Sequence, residues 1–213
     1  MIPMTPLFAT AYLPPIIYFA YLQQFTEIQI EQFETFPKQT YRNRALIVSA
    51  NGVLPLSVPV IRTQGNHTLT REMKISYQEN WNVRHWRAIE AAYNASPFFL
   101  YYKDDIEKSL MRKHKNLLEL NQELLQVLLN LLKISCHVTL TEDFSPDAKS
   151  ETDFRYTISP KKSLSPTLFP SYCQVFDSRI GFHPNMSILD LLFNIGPESK
   201  GYLKSIVSRE TNN

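Results

Sequence analysis

The densest run of reactive side chains in the sequence is Lys38-Gln39-Thr40-Tyr41-Arg42-Asn43-Arg44. In an extended segment alternate residues share a face, which puts Lys38, Thr40, Arg42 and Arg44 on one side. Three cations there would hold a phosphate or carboxylate, with the two guanidinium groups suited to bidentate contact and Asn43 within the same run. The same spacing fits a solvated edge strand whose basic side chains deter strand pairing. His85 is the next candidate, because imidazole gives and takes protons near neutral pH. It shares a helical stripe with Trp81, Ile89 and Tyr93, so a core histidine held by a hydrogen-bond partner is the stronger reading. Asp153-Phe154-Arg155 puts an acid and a base on one face of an extended chain, and Ser159-Pro160-Lys161-Lys162 follows closely. That pair is either an exposed ion pair of little worth or part of a loop that closes over bound substrate.

Other chemistries are excluded by what the chain lacks. It has 213 residues with 44% hydrophobic and 20% charged, which suits a packed domain and argues against wholesale disorder. Only 5 residues are Gly, where ordinary usage would give roughly 15. No G-x-G-x-x-G occurs, and Gly196 and Gly201, which have P-loop spacing, are followed by Tyr202 instead of lysine. There is no nucleophile elbow, H-E-x-x-H or paired zinc-ligand spacing, so no metal is assigned and no cofactor is indicated. A net charge of +2 does not imply nucleic acid. Cys136 and Cys173, the two cysteines, make no disulfide-dense scaffold, which fits a reduced, cytoplasmic chain. Residues 1 to 26 carry no charge, but Pro3, Pro6, Pro14 and Pro15 interrupt them and no basic region precedes them. The stretch therefore reads as buried structure, not a signal peptide or membrane span.

The elements that must position these side chains follow from periodicity. Leu7 to Thr10 is a short buried strand, and Pro14 suits the first turn of a helix that is apolar all round. Glu27 to Glu31 alternates as a half-buried strand, so the start is a βαβ unit with a parallel sheet. Asn51-Gly52 between Ala45–Ser49 and Val53–Ile61 signals a hairpin, whose second arm Pro55 and Pro59 place at an edge. Trp81 to Tyr93 is a helix. Asp104-Asp105 would cap another reaching about Lys115, with its charges matched to the macrodipole. Leucines from Leu117 to Leu132 mark the next helix, followed by a strand over 136–141. Residues 142–172 are polar, proline-rich and irregular, a kind of segment that is either mobile or functional. Ser187 would cap a last helix, with Asp190 in its first turn and Gly196 just past its end. The expected fold is one α/β domain over residues 1–213, a mostly parallel sheet with flanking helices plus an antiparallel β-hairpin.

In order along the chain, several of these residues resemble the WbqC-like protein family, found in bacterial gene clusters for surface polysaccharide. The resemblance rests on Tyr12-Leu13-Pro14 with Tyr18-Phe19, Lys38 with Arg42-Asn43-Arg44, Gly52 and Leu56-Ser57-Val58-Pro59-Val60. It continues through Trp81, His85, Tyr93, Leu120-Asn121, and Ser187 to Asn194 with Gly196. Many relatives place an aspartate before the position of Lys38, where this chain offers Glu31 and Glu34. Thr10-Ala11 also replaces an early histidine-glutamine. The resemblance implies a transferase that adds glycine or another amino acid to a sugar in O-antigen or capsule assembly. Its partners would be an activated donor, a sugar or nucleotide-sugar acceptor and, by docking, polysaccharide-synthesis enzymes. Lys38, Arg42 and Arg44 would hold an anionic group of the donor, with His85, Glu31 or Glu34 as base. The segment from Asp153 through Arg155 to Lys161 would close over the pair. A non-catalytic binding protein of the same pathway and a nucleotidyltransferase-like enzyme are the alternatives.

Overall fold

Strand β1 (Leu7–Ala9), helix α1 (Ile16–Leu22) and strand β2 (Glu27–Glu31) form the expected parallel βαβ unit in a computed structural model. It describes residues 5–144, 146, 152–162 and 164–210. Helix α1 begins after Pro15, not at Pro14: a residue that precedes proline is pushed out of the helical region, so Pro14 is excluded by Pro15. Every residue of α1 is buried, as its apolar circumference requires. Residues 6–22 are buried throughout, so this part of the proline-rich start is interior.

The hairpin pairs β3 (Arg44–Ser49) with β4 (Gly52–Ser57). Its two-residue turn is Ala50-Asn51, one position earlier than Asn51-Gly52, and Gly52 opens β4 at a φ of +104°. It forms its own two-stranded sheet and does not extend the parallel one. A second small pair joins β5 (Val60–Ile61) to β6 (Lys74–Ile75), and Pro59 separates β4 from β5. The parallel sheet is thus only three strands wide among the described residues, ordered β1-β2-β7, with β7 at His137–Leu140. The architecture is α/β, with less parallel sheet than expected.

Helix α2 (Trp81–Tyr93) has the expected bounds. Helix α3 (Phe99–Met111) starts and ends earlier than Asp104-Asp105 would place it. The Ser96-Pro97 turn and a bond from Phe98 N to the Phe193 carbonyl (3.0 Å) set its start, and both acids lie mid-helix. Helix α4 (Leu117–Leu131) is capped by Asn116, whose side chain accepts from Glu119 N. Short α5 (Asp177–Ile180), α6 (Ile188–Ile195) and α7 (Ser199–Glu210) complete the chain. Ser187 caps α6 as expected, but Asp190 faces inward and not toward the helix dipole. Its carboxylate accepts from the Tyr172 hydroxyl and from Gln174 Nε2, and burial pushes its pKa up. Of the 142–172 segment, the described residues hold a 3-10 turn at Pro166–Leu168 and a bridge from Asp153 to Leu7. One connected apolar core joins β1, α1, β2, the hairpin and helices α2 to α4, α6 and α7. No helix among the described residues is long and apolar enough to cross a membrane.

Candidate functional site

Parallel strands end on one side, so the residues just past their carboxyl ends converge. Thr10 follows β1, Glu31 ends β2 and Thr141 follows β7, and all three are buried. Glu31 is 0% exposed, a position at which a carboxylate needs several donors. It has them: Oε1 accepts from Phe33 N at 2.7 Å and Thr141 Oγ1 at 3.2 Å, and Oε2 accepts from Arg155 Nη1 at 3.1 Å. Arg155, 1% exposed, also grips Asp153 through Nε to Oδ1 at 3.0 Å and Nη2 to Oδ2 at 2.9 Å.

The run from Lys38 to Arg44 is not extended. Gln39 has a φ of +57° and Tyr41-Arg42 form a turn, so the alternation that would align Lys38, Arg42 and Arg44 is broken. Arg42 turns inward and meets Glu34 in a bidentate pair, Nε to Oε1 at 2.6 Å and Nη2 to Oε2 at 2.8 Å. Asn121 of α4 stitches this turn to β1, its Nδ2 donating to the Arg42 carbonyl at 2.8 Å and to Thr10 Oγ1 at 3.1 Å. Tyr156 lies where the two charged groups meet. Burial raises the pKa of its hydroxyl first, the Glu34 charge adds to that, and Arg155, Arg42 and Asp153 all act on it.

The strand order gives this cluster its setting. Leu7 N donates to the Thr152 carbonyl at 2.9 Å and Phe154 N to the Leu7 carbonyl at 2.8 Å, so residues 152–154 run parallel along the free side of β1. The chain therefore leaves β1 for β2 on one side and returns on the other. The order reverses between β1 and residues 152–154, and in open α/β sheets ligands bind outside the carboxyl ends of strands at such a point. A small cavity of about 10 Å³ lies there, lined by Ala9, Thr10, Ala11, Arg42, Phe154 and Ile158 among others. It has room for about one water molecule. A second cavity of about 10 Å³ shares Tyr41 and Ile158 and adds the hydroxyls of Thr157 and Ser159.

The structure thus brings Glu31, Glu34, Arg42, Asp153 and Arg155 to one edge of the sheet. Asn43 is occupied elsewhere, its Nδ2 donating to the Val58 carbonyl at 3.0 Å. Lys38 and Lys161 are exposed. Arg44 is half-buried, with a buried Nε that has no hydrogen-bond acceptor, and its charge acts on the Tyr41 hydroxyl that borders both cavities. Asp153 and Arg155 make a buried pair, not the exposed one that their polar surroundings suggested. Thr10, Thr141 and Tyr156 were not legible as site residues. The one available signal was a polar residue directly after an apolar strand, which marks Thr10 and Thr141. Among the described residues no group of three or more His, Cys, Asp or Glu is arranged to hold a metal ion.

His85 has other company. Its Nδ1 lies 2.8 Å from the Tyr12 hydroxyl and its ring bonds the Ser57 backbone, with Trp81 packed edge-on. Burial, with Arg84 adding, pushes its pKa down to about 4, so it is neutral at pH 7. The unfolded chain binds this proton near 6.5 and the folded one only near 4. Stability present above pH 6.5 should therefore be lost as pH falls towards 4, by about 3 kcal/mol. Urea unfolding from pH 7 to 4 should show a steep acid limb that is shallower in His85→Gln; equal limbs would refute this.

The model of the WbqC-like protein family matches residues 10–167, a span holding all the charged residues of the cluster. The uncharacterized protein Rv1507c of Mycobacterium tuberculosis is 30% identical over 223 residues, covering 91% of this chain and 94% of its own. No solved structure matches at a significant level. With most of its length matched, including the charged carboxyl edge of the sheet, the chain belongs to the WbqC-like protein family.

Proposed function

We propose that the protein is a transferase of bacterial surface-polysaccharide assembly that moves glycine or another aminoacyl group onto a sugar. One observation carries the reading: five charged side chains converge at the carboxyl ends of parallel strands, where the strand order reverses. The sugar amine or hydroxyl attacks the donor's carbonyl carbon, forming a C–N or C–O bond. The bond to the leaving group breaks with its electron pair, and the nucleophile's proton passes to Glu34 or Glu31. His85 lies among other neighbours, Tyr12, Trp81 and the Ser57 backbone, so this role falls to the carboxylates of the cluster.

Arg42 is held by Glu34, so the donor's anionic group falls to Arg44, assisted by the exposed Lys38 and by Lys161 on the covering segment. Arg44 is suited to it by its buried, unpartnered Nε. The reaction takes place in the cytoplasm, where the free Cys136 and Cys173 stay reduced. Incubation with glycyl-adenylate and a nucleotide-linked amino sugar, read by mass spectrometry, should show a product heavier by one glycyl residue. Arg44→Ala should lower turnover about 10- to 100-fold with little change in melting temperature. Undiminished turnover in that variant would remove Arg44 from the donor site.

A second reading, a binding protein that holds a nucleotide sugar or docks onto a synthesis enzyme, is favoured by one feature. Glu31, Glu34, Arg42, Asp153 and Arg155 are all paired, and the two cavities beside them measure only about 10 Å³ each. It predicts a thermal shift with the nucleotide sugar and no glycyl product.

A further inference from the structure

Two aromatic side chains stand exposed at the charged edge of the sheet. Tyr156 is 53% exposed and Phe144 45%, although both lie against a buried guanidinium. The Arg155 guanidinium carbon sits 5.5 Å from the Tyr156 ring centre and 5.9 Å from that of Phe144. Arg155 is itself locked by Asp153 and Glu31, so both rings rest on a fixed base. The neighbouring Phe154 differs: it packs inward against Phe8 at 4.7 Å and Tyr21 at 4.9 Å between ring centres. The core takes Phe154 and leaves Phe144 and Tyr156 facing solvent beside the carboxylates.

The charge at this edge selects among ligands that stack on rings. Three carboxylates (Glu31, Glu34, Asp153) face two guanidinium groups (Arg42, Arg155), which leaves one net negative charge. A nucleotide phosphate would be repelled, whereas neutral hydroxyl donors or an ammonium group would be attracted. The C–H face of a pyranose carries the partial positive charge that the negative face of an aromatic ring favours.

We infer that Phe144 and Tyr156 form the platform for the acceptor, a pyranose with hydroxyl or amino groups and no phosphate at this end, held beside Glu31, Glu34 and Asp153. This rests on the transferase reading above and supplies its acceptor side, with the anionic donor on Arg44. Saturation-transfer NMR on the full chain should show methyl 2-amino-2-deoxyglucopyranoside receiving magnetisation through its ring C–H protons. Tyr156→Ala should weaken its binding about tenfold, as loss of one stacking contact implies. Tyr101→Ala, at an exposed aromatic on α3, should leave it unchanged. Equal binding by wild type and by both Tyr156→Ala and Phe144→Ala would overturn the platform, as would saturation by uridine monophosphate in place of the glycoside. Glycoside binding without glycyl transfer would end the transferase reading and leave the platform standing. Transfer that survives Tyr156→Ala undiminished would do the reverse.

Discussion

Arg42→Met is expected to cost about 3–5 kcal/mol of stability, because it leaves the Glu34 carboxylate buried with its charge uncompensated. Both side chains are 3% exposed, and both Glu34 oxygens accept from the guanidinium. In urea the unfolding midpoint should fall by roughly 2 M. The double variant Glu34→Leu/Arg42→Met should recover most of the loss, since a buried ion pair exchanged for apolar side chains of similar size is often neutral. That double variant also separates two roles which truncation of Arg42 alone confounds. A stable double variant without glycyl transfer assigns the pair to the site; a stable and active one makes it structural. A single variant as stable as the wild type would mean that water reaches Glu34, against its burial.

The fold was largely legible because its signals are local. The alternation of Glu27 to Glu31, the four-residue stripe from Trp81 to Tyr93 and the cap at Ser187 each reach only a few residues, and each recurs in the structure. The misplacements arise where a distant contact decides. Helix α3 begins where Phe98 meets the Phe193 carbonyl, a contact 95 positions away that no local charge pattern reveals. The hairpin's separation from the parallel sheet is likewise a matter of packing.

Of the site, the residue types were legible and the pairings were not. Arg42 and Glu34 lie eight residues apart, and the turn at Gln39, with a non-glycine φ of +57°, brings them together. Non-glycine residues in that region are few, and nothing in Lys38-Gln39-Thr40 announces one. Glu31 and Arg155, 124 residues apart, meet only because residues 152–154 run beside β1. The sequence suggested cations free to bind an anion. The structure pairs Arg42 with Glu34 and leaves Arg44 half-buried with an Nε that lacks an acceptor, so the donor proposal moves from Arg42 to Arg44, with Lys38 and Lys161 assisting.

The scarce glycines make the last large effect. Gly196 ends α6 at a φ of +52°, and a Cβ there would lie 2.5 Å from Phe98 Cγ and 2.6 Å from its Cδ1. A ring cannot yield by rotating a flexible tip, and Phe98 is further fixed by its backbone bond to Phe193 and its contact with Tyr101. Gly196→Ala should therefore combine a backbone penalty of about 1 kcal/mol with an overpacking cost of about 1–3 kcal/mol. The sum, about 2–4 kcal/mol, should appear as a lower urea midpoint with an unchanged m-value. Gly52→Ala makes the comparison: its φ of +104° is strained for alanine, but no atom lies within 4 Å of the added carbon, so only the backbone part should appear. Adding Phe98→Ala to Gly196→Ala should cost less than the two changes summed, because removing the ring removes the clash. Strict additivity would show that α6 already holds Phe98 away from that position, and the helix end would then owe its glycine to φ alone.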